Sequence, residues 1–233
     1  MVKNHMKRIA MPRTWKLDRK VSEWVTKPSA GAHDYETAMS LETVMKEIIK
    51  CANTRKEART ILLTKDVLVD GKKRKELRLP VGFMDVVSLP EVNEHYRMLL
   101  NRKGEITAMP IKKEESGIKP CKITGKRMIE GGITQINLFD SRNLLFKKGE
   151  KIPYNVGDTL LISLPKQEIK NHFKLEKGAY VYLTGGKHIG KSGVVEEITR
   201  SIFKFKSDDG VLSETAKSYA FVIGKDKASI SIM

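Results

Sequence analysis

Acidic residues are scarce in this 233-residue chain: 28 Asp and Glu stand against 44 Lys and Arg, giving a formal charge of +16 and a pI near 9.7. Such a chain repels itself until a polyanion neutralises it, which leaves nucleic acid or an anionic membrane as partners. Long apolar runs are missing as well. No stretch long enough to span a bilayer exists, and the cations are spread along the chain instead of forming one amphipathic stripe, so a membrane partner is set aside. Cysteine is almost absent. Cys51 and Cys121 form no CxxC pair and have no nearby His spacing, which argues against a disulfide framework or a zinc site and for a reducing interior. Catalytic signatures are lacking too: the five His are scattered, and there is no G-x-S-x-G, no H-E-x-x-H and no metal-ligand cluster. No enzyme activity, cofactor, metal or small-molecule substrate is therefore expected. An aromatic content of 6% disfavours an extended platform for stacking single strands.

What is present is enough for a folded protein, with 40% hydrophobic residues. The first 20 residues hold seven Lys or Arg and one Asp, similar to a transit peptide. Pro12 and the scarcity of Ser argue otherwise, and no apolar h-region points to secretion, so a cytoplasmic location is expected. Residues 1–39 are rich in cations and turn formers and read as a basic arm with at most a short helix. Trp15 and Trp24 favour an arm that docks, and arms of this kind often order on RNA.

From 40 to 90 the pattern is one of two helices and a small sheet. Ser40 caps a first amphipathic helix whose apolar positions are Leu41, Val44, Met45, Ile48 and Ile49. Thr54 and Glu57 stand in the S/T-x-x-E relation of a capping box, so a second helix starts there. Ala58, Ile61 and Leu62 face the core of that helix, and Arg55, Lys56 and Arg59 lie on its opposite side. Val67–Val69, the Asp70-Gly71 turn, the basic pair Lys72 and Lys73, and Met84–Leu89 read as short strands and a hairpin. From 91 to 173 the chain reads as a β domain. Tyr96, Met98 and Leu100 alternate, as do Ile106 and Ala108 after the Asn101–Gly104 turn, and apolar runs follow at Gly132–Phe139, Asn143–Phe146 and Thr159–Leu164.

In the last segment, 174–233, Gly185–Ser192 satisfies the phosphate-loop pattern G-x-x-x-x-G-K-[ST] after an expected strand at Tyr180–Thr184. A phosphate loop needs a helix directly after it, and Gly193-Val194-Val195 is a poor helix start. Too few residues remain for the βαβ units a nucleotide site requires. An ATPase is rejected. The glycines instead allow backbone N–H groups to converge on an anion, with Lys187 and Lys191 supplying charge beside His188.

Three stretches carry a family resemblance. Thr54–Ala58, Val67–Gly71 and Val81–Asp85 resemble the small RNA-binding domain named after bacterial ribosomal protein S-four, whose core reads S-R-S-E-A, V-x-V-N-G and P-G-D. Here Phe83-Met84 separate Gly82 from Asp85, so a longer final turn is expected. Gly186, Gly190 and Gly193 resemble the KOW motif, in which a glycine loop joins two strands of a small SH3-like barrel. Together with a basic arm and the signatures His5-Met6-Lys7-Arg8, Pro12, Trp15, Lys27-Pro28-Ser29, Gly31–His33, Lys103-Gly104 and Asp140-Ser141-Arg142-Asn143, the chain resembles the small-subunit ribosomal family S-four-e of archaea and eukaryotes. The family usually has Gly where Ser141 stands.

The resemblance implies an α+β, multidomain fold: the helix-hairpin-plus-sheet domain, a central all-β domain and a C-terminal SH3-like barrel. It implies a structural constituent of the small ribosomal subunit of archaeal type, in the cytoplasm, with small-subunit rRNA and neighbouring ribosomal proteins as partners. Candidate RNA-binding residues are Lys7, Arg8, Arg13, Lys16, Arg55, Lys56, Arg59, Lys72, Lys73, Arg142, Lys187, His188 and Lys191. An RNA-modifying enzyme with its active site in residues 90–175, or a KOW-bearing transcription factor, are the alternatives.

Overall fold

In the computed structural model, which describes residues 5–150 and 152–232, the basic arm is docked along a folded unit; its first four residues lie outside those described. Met6–Lys7 (β1) pairs antiparallel with Trp24–Val25 (β2), and Met6, Met11 and Trp15 are buried. The amide of Ile106 donates to the carbonyl of Thr14, tying the arm to the sheet below. Burying those apolar side chains offsets the entropy of ordering a polar segment.

Ala38–Ser40 (β3) leads into the first helix, α1, at Leu41–Thr43, which continues as a π turn over Val44–Ile48. The Ser40 hydroxyl accepts from the Thr43 amide at 3.3 Å, the cap the sequence predicts. Leu41, Val44 and Met45 are buried, but Ile48 and Ile49 are only half-buried. The reason is the π turn, in which the Ile49 amide bonds to the Val44 carbonyl five residues back and the apolar stripe rotates off the core.

Helix α2 spans Arg55–Thr64 and carries the full capping box, with the Glu57 amide on Thr54 Oγ1 at 3.2 Å and the Thr54 and Asn53 amides on Glu57 Oε2. Ala58 and Leu62 are buried, as the spacing predicts, while Ile61 is only half-buried. Leu68–Val69 (β4) and Lys72–Lys73 (β5) form a hairpin around Asp70-Gly71, both at positive φ (52° and 72°), the primed turn that matches strand twist. Pro80–Gly82 (β6) pairs with β3, and Val86–Leu89 (β7) pairs with β4. The turn between β6 and β7 is the expected longer one, with Met84 at φ 63° and the Gly82 amide on Asp85 Oδ2.

The sequence reading opens its central β segment at 91, yet Glu94–Leu100 (β8) and Ile106–Pro110 (β9) continue the same sheet, in the order β5-β4-β7-β8-β9. Their inward residues Met98, Leu100 and Ile106 are buried, and Arg97, fully buried on β8, is held by the Glu115 carboxylate at 3.2 Å and its carbonyl at 3.1 Å from α3, Lys113–Ser116. Residues 1–101 and 105–117 make up this unit; 102–104 and 118–233 make up the second.

The second unit holds two sheets. Ile118–Ile129 (β10), Ile133–Leu138 (β11), Asn143–Phe146 (β12), Thr159–Ser163 (β13) and Ile169–Phe173 (β14) run in the order β12-β11-β10-β13-β14 over a core of Cys121, Ile123, Ile136, Leu138, Leu160 and Ile162. Strand β10 pairs with β13 through its first five residues and with β11 from Ile123 onward, with a register shift between Ile123 and Gly125. The Asp158 turn entering β13 repeats the chemistry of Asp85: each carboxylate accepts the amide three residues back and a histidine ring, from His172 and His33 respectively.

Ala179–Leu183 (β15), Ser192–Ile198 (β16), Ile202–Ser207 (β17), Leu212–Ala216 (β18), Ala220–Lys225 (β19) and Lys227–Ala228 (β20) form the other sheet, ordered β18-β17-β16-β15-β19-β20 over Val181, Leu183, Val195, Phe203, Phe205 and Val222. A strand, β16, follows the Gly185–Ser192 loop where a phosphate loop would need a helix, as expected. No helix is long and apolar enough to cross a membrane among the described residues.

Candidate nucleic-acid interface

Helix α2 divides its residues cleanly. Ala58 and Leu62 face the core, while Arg55, Lys56 and Arg59 are exposed on the other side. Arg55 sits 3.6 Å from Glu42, and nearly two thirds of its side chain remains open to solvent. Arg55 and Lys56 occupy the first helical turn, where the helix dipole is positive and cations are disfavoured. The capping box compensates with one acid: Glu57, whose carboxyl is held below the ordinary range by the Asn53 amide and then by the Thr54 amide and hydroxyl. An anion placed at this end would relieve the remaining repulsion. In the neighbouring hairpin, Lys72 and Lys73 are exposed, with Lys73 paired to Asp66.

Along the arm, Lys7, Arg13 and Lys16 are exposed. Arg13 and Lys16 line a groove of about 980 Å³ together with Arg19 and Lys50, against Asp18, Glu47 and Glu105. Arg8 corrects the sequence reading. It is only 4% exposed, and its guanidinium is spent on the Asp18 carbonyl at 2.5 Å, Ser22 Oγ at 3.3 Å and Glu47 Oε1 at 3.0 Å. A cation with three internal acceptors and almost no exposed surface has no face left for a phosphate.

Arg142 is half-buried and is also engaged within the protein. Its Nε lies 3.2 Å from Asp140 Oδ2, which also takes the buried Lys119 ammonium at 3.1 Å, so the arginine completes an internal ion triad. Ser141, where the resemblance leads one to expect glycine, adopts the left-handed conformation itself, at φ 59°.

In the loop between β15 and β16, Gly186 and Gly190 take positive φ (79° and 73°), and a side chain at Gly185 would meet the Tyr219 ring at 2.5 Å. Lys187 is exposed and Lys191 half-buried. The loop is less of an anion nest than the sequence implies, because the amides of Ile189, Gly190 and Lys191 donate to the carbonyls of Gly186, Leu183 and His188. His188 packs edge-on against Phe205, ring centroids 5.8 Å apart. Partial burial pushes its imidazole below the ordinary value, and Lys191 and Lys187 push it further, so at neutral pH it is a neutral hydrogen-bonding group and not a third charge.

A second groove, of about 780 Å³, is lined by His5, Trp24, Lys46, Arg55 and Arg78. Its cations come from segments far apart in the chain. Of these cations the sequence analysis singles out Arg55 from its helical spacing; Lys46 lies between the apolar positions Met45 and Ile48 of the π turn.

Two family models match the chain: Ribosomal family S4e over residues 92–169, and the RS4NT (NUC023) domain over residues 2–36. Small ribosomal subunit protein eS4 of Methanocaldococcus jannaschii is 43% identical over 99% of this chain and 98% of its own length. The protein of the same name from Methanosphaera stadtmanae is 40% identical, over 99% and 96%. Among solved structures, the 30S ribosomal protein S4e from Thermoplasma acidophilum superposes with a TM-score of 0.70 at 29% identity, covering 83% of this chain and 98% of that one.

Proposed function

The chain belongs to ribosomal family S4e, and from that premise we propose how its two units hold RNA. It is a structural constituent of the small ribosomal subunit and not an enzyme. Its partners are small-subunit rRNA and neighbouring ribosomal proteins, on ribosomes in the cytoplasm. The arm (1–39) and the S-four-like segment (40–90) present Lys7, Arg13, Lys16, Arg55, Lys56, Arg59, Lys72 and Lys73. The segment 91–173, whose strands β8 and β9 extend the sheet before it, serves as scaffold. The C-terminal sheet (174–233), in our reading an SH3-like barrel of KOW type, presents Lys187, Lys191 and the neutral ring of His188. Contacts go to phosphates and to the shape of the folded RNA, as expected where double-stranded RNA hides its base edges.

The observation that carries this is the two-sided α2: three cations on a face that the core does not use, two of them at a helix end that lacks sufficient negative charge. Among the described residues, no group of three His, Cys, Asp or Glu could hold a metal, and no specific observation favours the enzyme or transcription-factor alternatives. The test reverses charge on the exposed side alone. Arg55→Glu with Arg59→Glu lowers affinity for transcribed small-subunit rRNA and incorporation into the subunit, with a loss in melting temperature confined to the broken Arg55–Glu42 pair. With roughly 6–10 phosphates neutralised, wild-type affinity falls by about three to five decades between 50 and 200 mM salt, if counterion release acts as it does on DNA. Full incorporation of the double variant would show that α2 faces something else.

A further inference from the structure

Trp24 does not behave like a core tryptophan. It sits on β2, opposite Lys7 of β1, and is 48% exposed, whereas Trp15, the other tryptophan of the chain, is 2% exposed. An indole left half in water forgoes about half of the burial energy that such a side chain supplies. Its ring is nonetheless held. The His5 ring packs edge-on against it, centroids 5.2 Å apart at 84°, and the Lys7 ammonium lies 5.9 Å from its centroid. The indole is therefore oriented by its neighbours and not simply dangling.

The ring lines the 780 Å³ groove, whose other walls come from Val21, Lys46, Arg55 and Arg78. Two carboxylates also line it, and both are already engaged: Glu42 Oε2 accepts from Thr26 Oγ1 at 2.8 Å and faces Arg55, and Glu47 pairs with Arg8. The balance of charge is positive. The groove thus joins an open aromatic face to cations within one concave surface. That is the combination by which proteins hold an unpaired nucleotide, the base stacked on the ring and the phosphates on the cations.

We propose that Trp24 is a stacking site for a single unpaired base of RNA, with Lys46, Arg55 and Arg78 gripping the flanking phosphates. This rests on the rRNA-binding reading above and adds to it one point where the protein reads an unstacked nucleotide and not only a backbone. One such site is compatible with the low aromatic content, which excludes only an extended platform.

The test uses the full chain and the intrinsic fluorescence of its two tryptophans. Titration with short oligoadenylate quenches emission saturably, whereas a fully paired RNA duplex does not; Trp24→Phe abolishes the quench while retaining binding, since the aromatic face remains. Trp24→Ala weakens oligoadenylate binding about tenfold, at the low end of what one stacked base contributes. Unchanged affinity of Trp24→Ala, a quench that persists in Trp24→Phe, or equal quenching by duplex would each overturn the proposal. Quenching seen only on subunit assembly and never with RNA would assign the ring to a protein neighbour. If Trp24→Ala binds rRNA like wild type while Arg55→Glu with Arg59→Glu does not, the stacking site falls and the rRNA reading stands. If wild type itself fails to bind rRNA, that broader reading falls first.

Discussion

Replacing Arg8 with Ala separates a structural arginine from an RNA-binding one. Arg8 lies among cations that suit an RNA-binding arm, yet its guanidinium points inward to the Asp18 carbonyl, Ser22 Oγ and Glu47 Oε1. Deleting it strips donors from two neutral oxygens, at a net cost of about 1 kcal/mol each. The ion pair with Glu47 adds about 1 kcal/mol and no more, because roughly a third of the Glu47 side chain is exposed and can rehydrate. The sum is about 3 kcal/mol, which for a unit of this size lowers the melting temperature by about 10 °C. The assay is thermal unfolding of the free protein, with limited proteolysis to report release of the arm. Arg8→Ala should melt early without RNA and expose the arm to cleavage, and its loss of rRNA affinity should be recovered on cooling. A variant that melts like wild type yet binds rRNA poorly would refute the reasoning and return Arg8 to the interface.

Other perturbations test single elements. Thr54→Ala removes the hydroxyl half of the capping box and should cost about 1 kcal/mol by chemical denaturation, with unchanged stability showing that α2 is held by packing alone. Gly193→Ala would place a Cβ 2.2 Å from the Lys206 carbonyl oxygen, so β16 and β17 must part; a loss of about 1–3 kcal/mol is expected, and wild-type stability would contradict the close approach. Burial pushes the Lys122 ammonium, which donates to the Ser218 carbonyl at 2.6 Å, down to about 8. Between about pH 8 and 10.5 the unfolded chain therefore binds the extra proton, and the contribution of this group to stability rises with pH. Melting curves at pH 7.5 and 9.5 should show that increment in wild type and lose it in Lys122→Met; equal increments would mean that Lys122 is solvated.

Local chemistry made much of this fold legible. Thr54 with Glu57 marked the start of α2, Ser40 capped α1, and Asp70-Gly71 fixed a hairpin, because each signal acts over four residues or fewer. Strand β10 escaped, although it is the longest. Pro120 and Gly125 read as breakers, and Lys119 occupies an inward position where alternation calls for an apolar residue; the distant Asp140 makes a lysine tolerable there. The same holds for the interface. The exposed side of α2 follows from helical period, but nothing near Arg8 announces Glu47, nothing near Asp140 and Arg142 announces the buried Lys119 that joins them, and the groove at Trp24 is assembled from five separate stretches.

The docking of the arm has a consequence for biosynthesis. Its anchors, Glu47 for Arg8 and Ile106 for Thr14, are translated after it, the latter by roughly a hundred residues, or about 5–20 s at ordinary elongation rates. During that interval the nascent amino-terminal segment emerges cationic and unanchored. Whatever keeps it from engaging stray polyanions must act before the sheet that will hold it has been made.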